Sequence, residues 1–445
     1  MVNMMVKRNA LNFFLIIFFF FISFLFFFIT QKYNFQISLL IFLLPFFLLF
    51  IFLYPEIGLN FILNEPLLYF ILPILPIAEG FRRASFTLFI FFLLLIAFIY
   101  QIVKNPKVIH HFISQLKKPL FILLAIIGLC LFISVSRLPL AFLEYGYVKF
   151  FSFLLLAFLP SLALLFLGNE EKRLKRFIFA FAFFTFLFFV YANFLIMKEG
   201  IENFLEKEII PYRLGFSLSC VVFGRWAGIG VLLAFLLFIT TRNKLVKIIV
   251  LLLLPVLLYL LLLSATRGAI LALAITLFTF FFLRLKNFKE KIALILLFIF
   301  LFFIFYSLIP SIIRERLTYF EDESALNRLE FIGLAFQNFF SSPLLGKGLG
   351  TFPYYNYHSL YPHNIFAEFA CETGFLGLIP FLLFIFFAFK EMFKRLKVKE
   401  ITSLFPAFLF LYLFVSSQFS FDIGNNSLLF FAGIFLSLKE EKNEK

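Results

Sequence analysis

"IIVLLLLPVLLYLLLLSATRGAILALAITLFTFFFL", residues 248–283, decides the fold class. Two apolar runs flank a short polar hinge that carries one arginine. In hydrocarbon every backbone N–H and C=O must be satisfied within the segment, so runs of this kind cross as helices. The hinge then returns the chain at one membrane face, and Arg267 stands at that boundary. A guanidinium there is poorly hydrated and seeks an anion. The plainer alternative is an interface anchor whose charged tip reaches water.

The rest of the chain repeats this pattern. It is 63% apolar and 14% charged, with 81 Phe among 445 residues. Spans are expected at 11–30, 37–54, 66–77, 85–103, 119–136, 147–167, 177–197, 218–240, 248–263, 268–283, 292–308, 374–389, 403–419 and 427–438. The third and last are short enough to be re-entrant or tilted, so 12 to 14 spans are expected. The fold class is an all-α polytopic membrane protein. A membrane β-barrel would show short alternating segments instead. The run at 11–30 follows Lys7 and Arg8 but is long and lacks a small-x-small cleavage site, so it reads as a retained span. Three cysteines (Cys130, Cys220, Cys371) have no metal spacing and suggest no disulfide framework.

A net charge of +15 raises the question of nucleic acid, but the distribution excludes it. The basic residues sit in short joints: "KNPKVIHHFISQLKK", "EEKRLKR", "TRNKLVK", "RLKNFKEK" and "KEMFKRLKVKE". If the spans alternate, all five fall on one side, which the positive-inside rule makes cytoplasmic. Arginine gathers on the opposite side, at Arg82, Arg83, Arg137, Arg213, Arg225, Arg267, Arg314, Arg316 and Arg328. Its rigid fork of donors suits phosphate better than lysine does. Pairing with Glu144, Glu206 or Glu330 is the alternative for any single arginine.

The long outer segment 310–373 divides the chain into spans at 1–309, this periplasmic loop, and spans with a cytoplasmic tail at 374–445. Within it, Leu326, Leu329, Ile332, Phe336, Phe339 and Phe340 recur at helical spacing, with Ser324 a plausible N-cap, as in a helix lying along a membrane surface or the bundle. Gly346, Gly348 and Gly350 in "SSPLLGKGLGTF" read as a turn rather than a phosphate loop. Then "YHSLYPHNIFAEFACETGFLG", 357–377, sets Asn364, Glu368 and Glu372 on one helical stripe with His363 at the outer end. Ionisable groups at a bundle's edge are paired or functional. A histidine that takes a hydroxyl proton, beside arginines that hold a departing diphosphate, suits group transfer from a lipid diphosphate. Helix capping is the structural alternative for His363. No Walker loop, dinucleotide fingerprint or His/Cys metal pattern is evident, so no cofactor and no metal site are expected.

"SATRGAI" together with "NRLEFIGLAFQNFFSSPLLGKGLGTF" and "HNIFAEFACETGFLGLIPF" resembles the O-antigen ligase and polymerase superfamily over about residues 263–381. The resemblance implies a C-type membrane glycosyltransferase. Such an enzyme moves a glycan from undecaprenyl diphosphate to an acceptor on the periplasmic face of the bacterial inner membrane, without metal. For ligases the acceptor is lipid A–core. By position Arg267 matches the family's RGA arginine and His363 its HN histidine. Arg213 in "YRLGF" is the preferred second arginine, with Arg225 in "FGRWAG" the alternative. Arg225, Arg328, Asn364, Glu368 and Glu372 are further candidates for substrate binding. The partners implied are the lipid-linked donor, the lipid A–core acceptor and membrane lipid. A polymerase or a protein-glycosylating relative shares these motifs; the single sizeable loop favours a ligase. A lipid-linked glycan flippase would instead show charges lining mid-span and internal repeats.

Overall fold

A computed structural model describes residues 51, 53–64, 82–104, 107–138, 143–167, 170–199, 220–308, 323–355 and 359–438. The expected spans at 11–30 and 66–77, most of 37–54, and Arg213, Glu206, Arg314, Arg316 and His358 lie outside these residues. Among the described residues there is no strand. The helices are α1 (Pro55–Leu63), α2 (Arg82–Lys104), α3 (Lys107–Leu116), α4 (Pro119–Ser136), α5 (Leu143–Phe153, a π turn at Leu154–Phe158, then Leu159–Leu167), α6 (Glu171–Glu199), α7 (Cys220–Thr240), α8 (Lys244–Leu263), α9 (Arg267–Arg284), α10 (Phe288–Leu308), α11 (Glu323–Ser341), α12 (Phe352–Tyr355), α13 (Ile365–Arg395), α14 (Ile401–Ser416) and α15 (Ser427–Ser437).

Seven helices among the described residues are long and apolar enough to cross a bilayer, and three shorter apolar ones accompany them. Their outward faces are greasy: Phe183, Leu252 and Phe386 stay more than half exposed. Water would penalise such faces, whereas lipid does not. The chain is thus an all-helical polytopic membrane protein. Inside, Phe rings meet edge-on, as where Phe177 and Phe181 pack on Phe405, a geometry that suits their quadrupoles.

The basic joints share one end of the bundle. Lys118, which precedes the α4 proline, donates to the Ser437 carbonyl at the end of α15. Arg395, at the end of α13, donates to the Leu436 carbonyl at 2.8 Å. Arg284, at the end of α9, reaches the carbonyls of Leu396 and Val398. Cations at helix C-termini complement the helix dipole as well as the orphan carbonyls.

Two expectations shift, the first at α13. The span expected to start at Gly374 belongs to a helix that begins at Ile365 and breaks at Gly374, where φ is 60° and ψ −159°. The "PLLGKGLG" segment threads the break. Phe375 N and Leu376 N donate to the carbonyls of Pro343 (2.8 Å) and Leu344 (3.1 Å), while Lys347 N and Gly348 N donate to those of Cys371 (2.7 Å) and Glu372 (3.0 Å). Four groups freed by the break are thereby satisfied, the condition for irregular backbone at membrane depth. This is why the glycines are needed: Gly346, Gly348 and Gly350 all have positive φ. A Cβ on Gly350 would also stand 2.5 Å from the Gly146 nitrogen of α5.

The second shift concerns α11. It starts at Glu323, so Ser324 lies inside the helix rather than capping it. Its buried face is Phe331, Ala335 and Phe339; the first two pack with Phe352, Ala367 and Cys371, and Phe339 meets the Phe375 ring of α13. Leu329, Phe336 and Phe340, expected on one apolar stripe with Phe339, point outward. Apolar residues therefore line both faces, one against the bundle and one outward, and the sequence pattern merged the two stripes.

Candidate functional site

The site lies at the end of the bundle opposite the basic joints. There α7, α9, α13 and α15 begin and α8 and α14 end. At the hinge read first in the sequence, α8 stops at Leu263, Ala265 turns with φ 49°, and α9 starts at Arg267. The Ser264 and Thr266 hydroxyls bond each other at 2.8 Å. They press on Gly224 of α7, where a Cβ would fall 1.9 Å from the Thr266 hydroxyl. Only a glycine lets α7 come this close, and the contact sets Arg225 beside the turn that presents Arg267. Arg267 itself is half-buried.

The connection between α14 and α15, residues 417–426, is the hub. Arg225 is buried against it: Nε donates to Ser416 Oγ (3.2 Å), Nη1 to the Asn425 carbonyl (3.2 Å) and Nη2 to Asn426 Oδ1 (2.7 Å). The Arg225 guanidinium also lies 3.7 Å from the Phe421 ring centroid. A Cβ on Gly268, next to Arg267, would touch Phe419 at 3.0 Å. The Ser417 carbonyl accepts from Ile365 N at 3.2 Å, and Gln418 Oε1 accepts from Asn364 Nδ2 at 3.1 Å. Asp422 accepts from the Tyr145 hydroxyl at 2.8 Å. One loop thus gathers the arginine side, the histidine side and α5.

Asn364 is the N-cap of α13, its side chain accepting from Phe366 N (3.1 Å) and Ala367 N (3.0 Å), as asparagine does at helix starts. That leaves its neighbour His363 outside the helix at φ 58°, a left-handed geometry that is uncommon for a β-carbon-bearing residue and clusters at functional sites. The His363 ring packs near Tyr361 (4.5 Å) and Phe331 of α11 (6.2 Å). Its Nδ1 is buried with no hydrogen-bond partner among the described residues. Burial, then the Arg328 charge, lower the His363 pKa from 6.5 to about 4, so the ring is neutral at pH 7. The Tyr361 hydroxyl is pushed up to about 12 by burial, Asp422 and Glu368, against the opposing pull of Arg225 and Arg328. Those four charges are therefore all within electrostatic reach of the Tyr361 hydroxyl.

Glu368 and Glu372 turn away from this opening. Both are fully buried and bind Lys149 of α5, Nζ lying 2.6 Å from Glu368 Oε1 and 2.7 Å from Glu372 Oε1. Of the expected residues, the structure gathers Arg225, Arg267, His363 and Asn364 around the hub, sets Arg328 within electrostatic reach of His363 and the two glutamates behind it, and leaves Arg213 outside the described residues. Sequence reading missed Lys149 and the hub loop. Lys149 is an ionisable residue inside an expected span, and the i, i+4 glutamates needed a counter-charge. The polar "DIGNN" at 422–426 breaks an otherwise apolar C-terminal stretch.

These features define a class: a multi-pass helical membrane protein with arginines and a neutral histidine clustered at one end, suited to an anionic, membrane-borne substrate. Residues 253–382 match the family model for O-antigen ligase, and that segment is what supports the O-antigen ligase superfamily. The family supports a ligase- or polymerase-type, glycosyltransferase-like activity on a lipid-linked glycan and an acceptor. The matched segment holds Arg267, Arg328, His363, Asn364, Glu368 and Glu372 but not Arg225, Lys149 or the hub loop. No curated protein matches the chain.

Proposed function

We propose that the protein transfers a glycan from undecaprenyl diphosphate to lipid A–core on the periplasmic face of the inner membrane, as an O-antigen ligase. The observation that carries the reading is the convergence of Arg225, the Arg267 turn and His363 on one loop, at the end away from the basic joints. The positive-inside rule puts that end in the periplasm. The imidazole nitrogen that has no partner among the described residues accepts the proton of an acceptor hydroxyl. The hydroxyl oxygen attacks the anomeric carbon, the bond to the diphosphate oxygen breaks, and the negative charge leaves with the lipid diphosphate. Arginine donors stabilise that charge as it develops. Direct attack inverts the anomeric centre, and the arginines do the work that a metal does in other transferases. Arg213 is retained as a further diphosphate-binding arginine. Arg225, with its donors turned into the hub, serves chiefly to hold that loop.

Deleting the gene and separating the envelope glycolipids on a gel tests this. Loss of all long-chain lipopolysaccharide with lipid-linked polymer accumulating supports a ligase. Capping of the core with a single repeat would instead make the protein a polymerase. An unchanged glycolipid pattern would refute both.

A further inference from the structure

The lysine–glutamate cluster behind the site has no place in the transfer chemistry, yet it is fully buried. Desolvating three charges is expensive, and such clusters are weak sources of stability. Its location suggests another use. The break at Gly374 separates the outer leg of α13, residues 365–373, from the membrane-crossing part. The leg therefore does not inherit its orientation from the rest of the helix. His363 and its neighbour, the cap Asn364, sit at the tip of this leg. Glu368 and Glu372 lie one turn apart on one face of it, and Lys149 takes one oxygen from each. One turn earlier on the same face of α5, Tyr145 donates to Asp422 in the loop that clasps Arg225. The Tyr145 ring also lies 4.8 Å from Lys149 Nζ. Glycine keeps this packing tight: a Cβ on Gly424 of the hub would stand 3.3 Å from the Lys149 carbonyl.

We propose that Lys149 is a positioning residue: by clamping Glu368 and Glu372 while its neighbour Tyr145 holds Asp422, it fixes the His363 leg relative to the arginine-bearing hub. Its effect on turnover rests on the glycosyl-transfer reading above, whereas its effect on the leg does not. Misplacing a catalytic group by about 1 Å can lower turnover by roughly a hundredfold.

The test uses the full-length protein in detergent with a polyprenyl-diphosphate glycan as donor. Lys149→Met/Glu368→Gln/Glu372→Gln removes all three charges together, so no unpaired charge is left buried. Hydrogen exchange read by mass spectrometry should show the amides of 365–373 exchanging at least about tenfold faster, with 377–395 unchanged. Turnover should fall at least about tenfold while the donor KM moves less than about twofold, because Arg267 is untouched. Glu372→Gln alone keeps the Lys149–Glu368 pair and serves if the triple variant does not fold; it should shift exchange and turnover in the same direction by a smaller factor. Wild-type exchange in the leg, or a loosened leg with wild-type turnover, overturns the positioning role. If the wild-type protein transfers nothing, the transfer reading fails, and the exchange result alone decides whether the clamp holds the leg.

Discussion

Gly374→Ala should be among the most damaging single changes in this protein. The residue sits at φ 60° and ψ −159°, a region that is essentially glycine's own and strains other residues by about 1–3 kcal/mol. The space is also taken. A Cβ there would stand 2.5 Å from Gly346 N, 2.6 Å from Leu344 C and 2.6 Å from Pro343 O, all backbone atoms of the threading loop. Backbone cannot rotate aside as a side chain can, so the loop must withdraw. The four hydrogen bonds across the break depend on its present position. Leaving a buried backbone group without a partner costs about 1–3 kcal/mol. Strain plus one or two lost bonds sums to roughly 2–9 kcal/mol. Gly333→Ala is the internal control, since a Cβ there meets nothing within 4 Å in the middle of α11. Relieving glycine's entropy in a helix should stabilise by about 0.5–1 kcal/mol. Thermal unfolding of the detergent-purified variants checks both. A Gly374→Ala protein that melts with the wild type would refute the account of the broken helix, and with it the reason for the Gly346, Gly348 and Gly350 turns.

Arg267→Lys should keep the charge yet lose turnover on the order of a hundredfold if the guanidinium fork grips diphosphate; wild-type turnover would reduce Arg267 to an interface anchor. His363→Ala should fold and bind donor but lose about 10²–10⁴ in turnover, while His358→Ala stays mild; near-normal transfer by His363→Ala would end the general-base reading. Because the His363 pKa is lowered, its base form persists as pH falls, and the acid limb of kcat/KM should lie near pH 4. Arg328→Met removes one of the two lowering influences and should move that limb upward; a stationary or lower limb contradicts the electrostatic account. Activity of purified protein with donor should survive EDTA, and loss restored by magnesium would point to a metal-binding carboxylate cluster. In a cysteine-free background, Leu360→Cys should react with an impermeant thiol reagent from the periplasm and Lys399→Cys only after the inner membrane is opened; the reverse would invert the topology.

Much of the fold was legible because lipid imposes a strong rule. A run such as 119–136 has few options but a helix, and α4 occupies that run end to end. The hinge at Arg267 was readable for the same reason, and the helix of 323–341 was readable from its apolar spacing, though not in its first residue. The break at Gly374 was not, because helical periodicity continues through it in "FACETGFLG" and the evidence for it is long-range. The loop at 343–348 supplies the carbonyls and amides that make it tolerable. The site was legible in its residue types, arginine and histidine at an apolar boundary, but not in its assembly. The loop at 417–426 holds the parts together mainly through backbone carbonyls, an amide side chain and a strained Phe421 with φ 71°. Such groups carry no motif. Lys149 was hidden for a related reason: its partners lie about 220 positions away in the chain, and no local pattern announces a salt bridge of that separation.

A tension in the electrostatics of His363 bears on how transfer is timed. Burial and Arg328 keep the ring neutral, which a base requires, but the same influences make it reluctant to accept a proton. At pH 7 a group with a pKa near 4 is protonated to about one part in a thousand. A base so poised does little alone. On the proposed transfer from a lipid diphosphate, the donor changes this. Its diphosphate brings negative charge to the arginine side of the hub, opposing Arg328 and stabilising an imidazolium. The acceptor hydroxyl meanwhile supplies a partner for the buried Nδ1. Both effects raise the pKa only when donor and acceptor are present. On this reading the acid limb of kcat, which reports the loaded enzyme, lies above that of kcat/KM, which reports the free one. Proton removal is then weak until the leaving group is in place. Such an order protects a membrane-borne glycan from attack by water, since burial also restricts water's approach to the ring. Coincident acid limbs would mean that the ring does not sense the diphosphate, and the arginines and the histidine would then act at separate places rather than at one site.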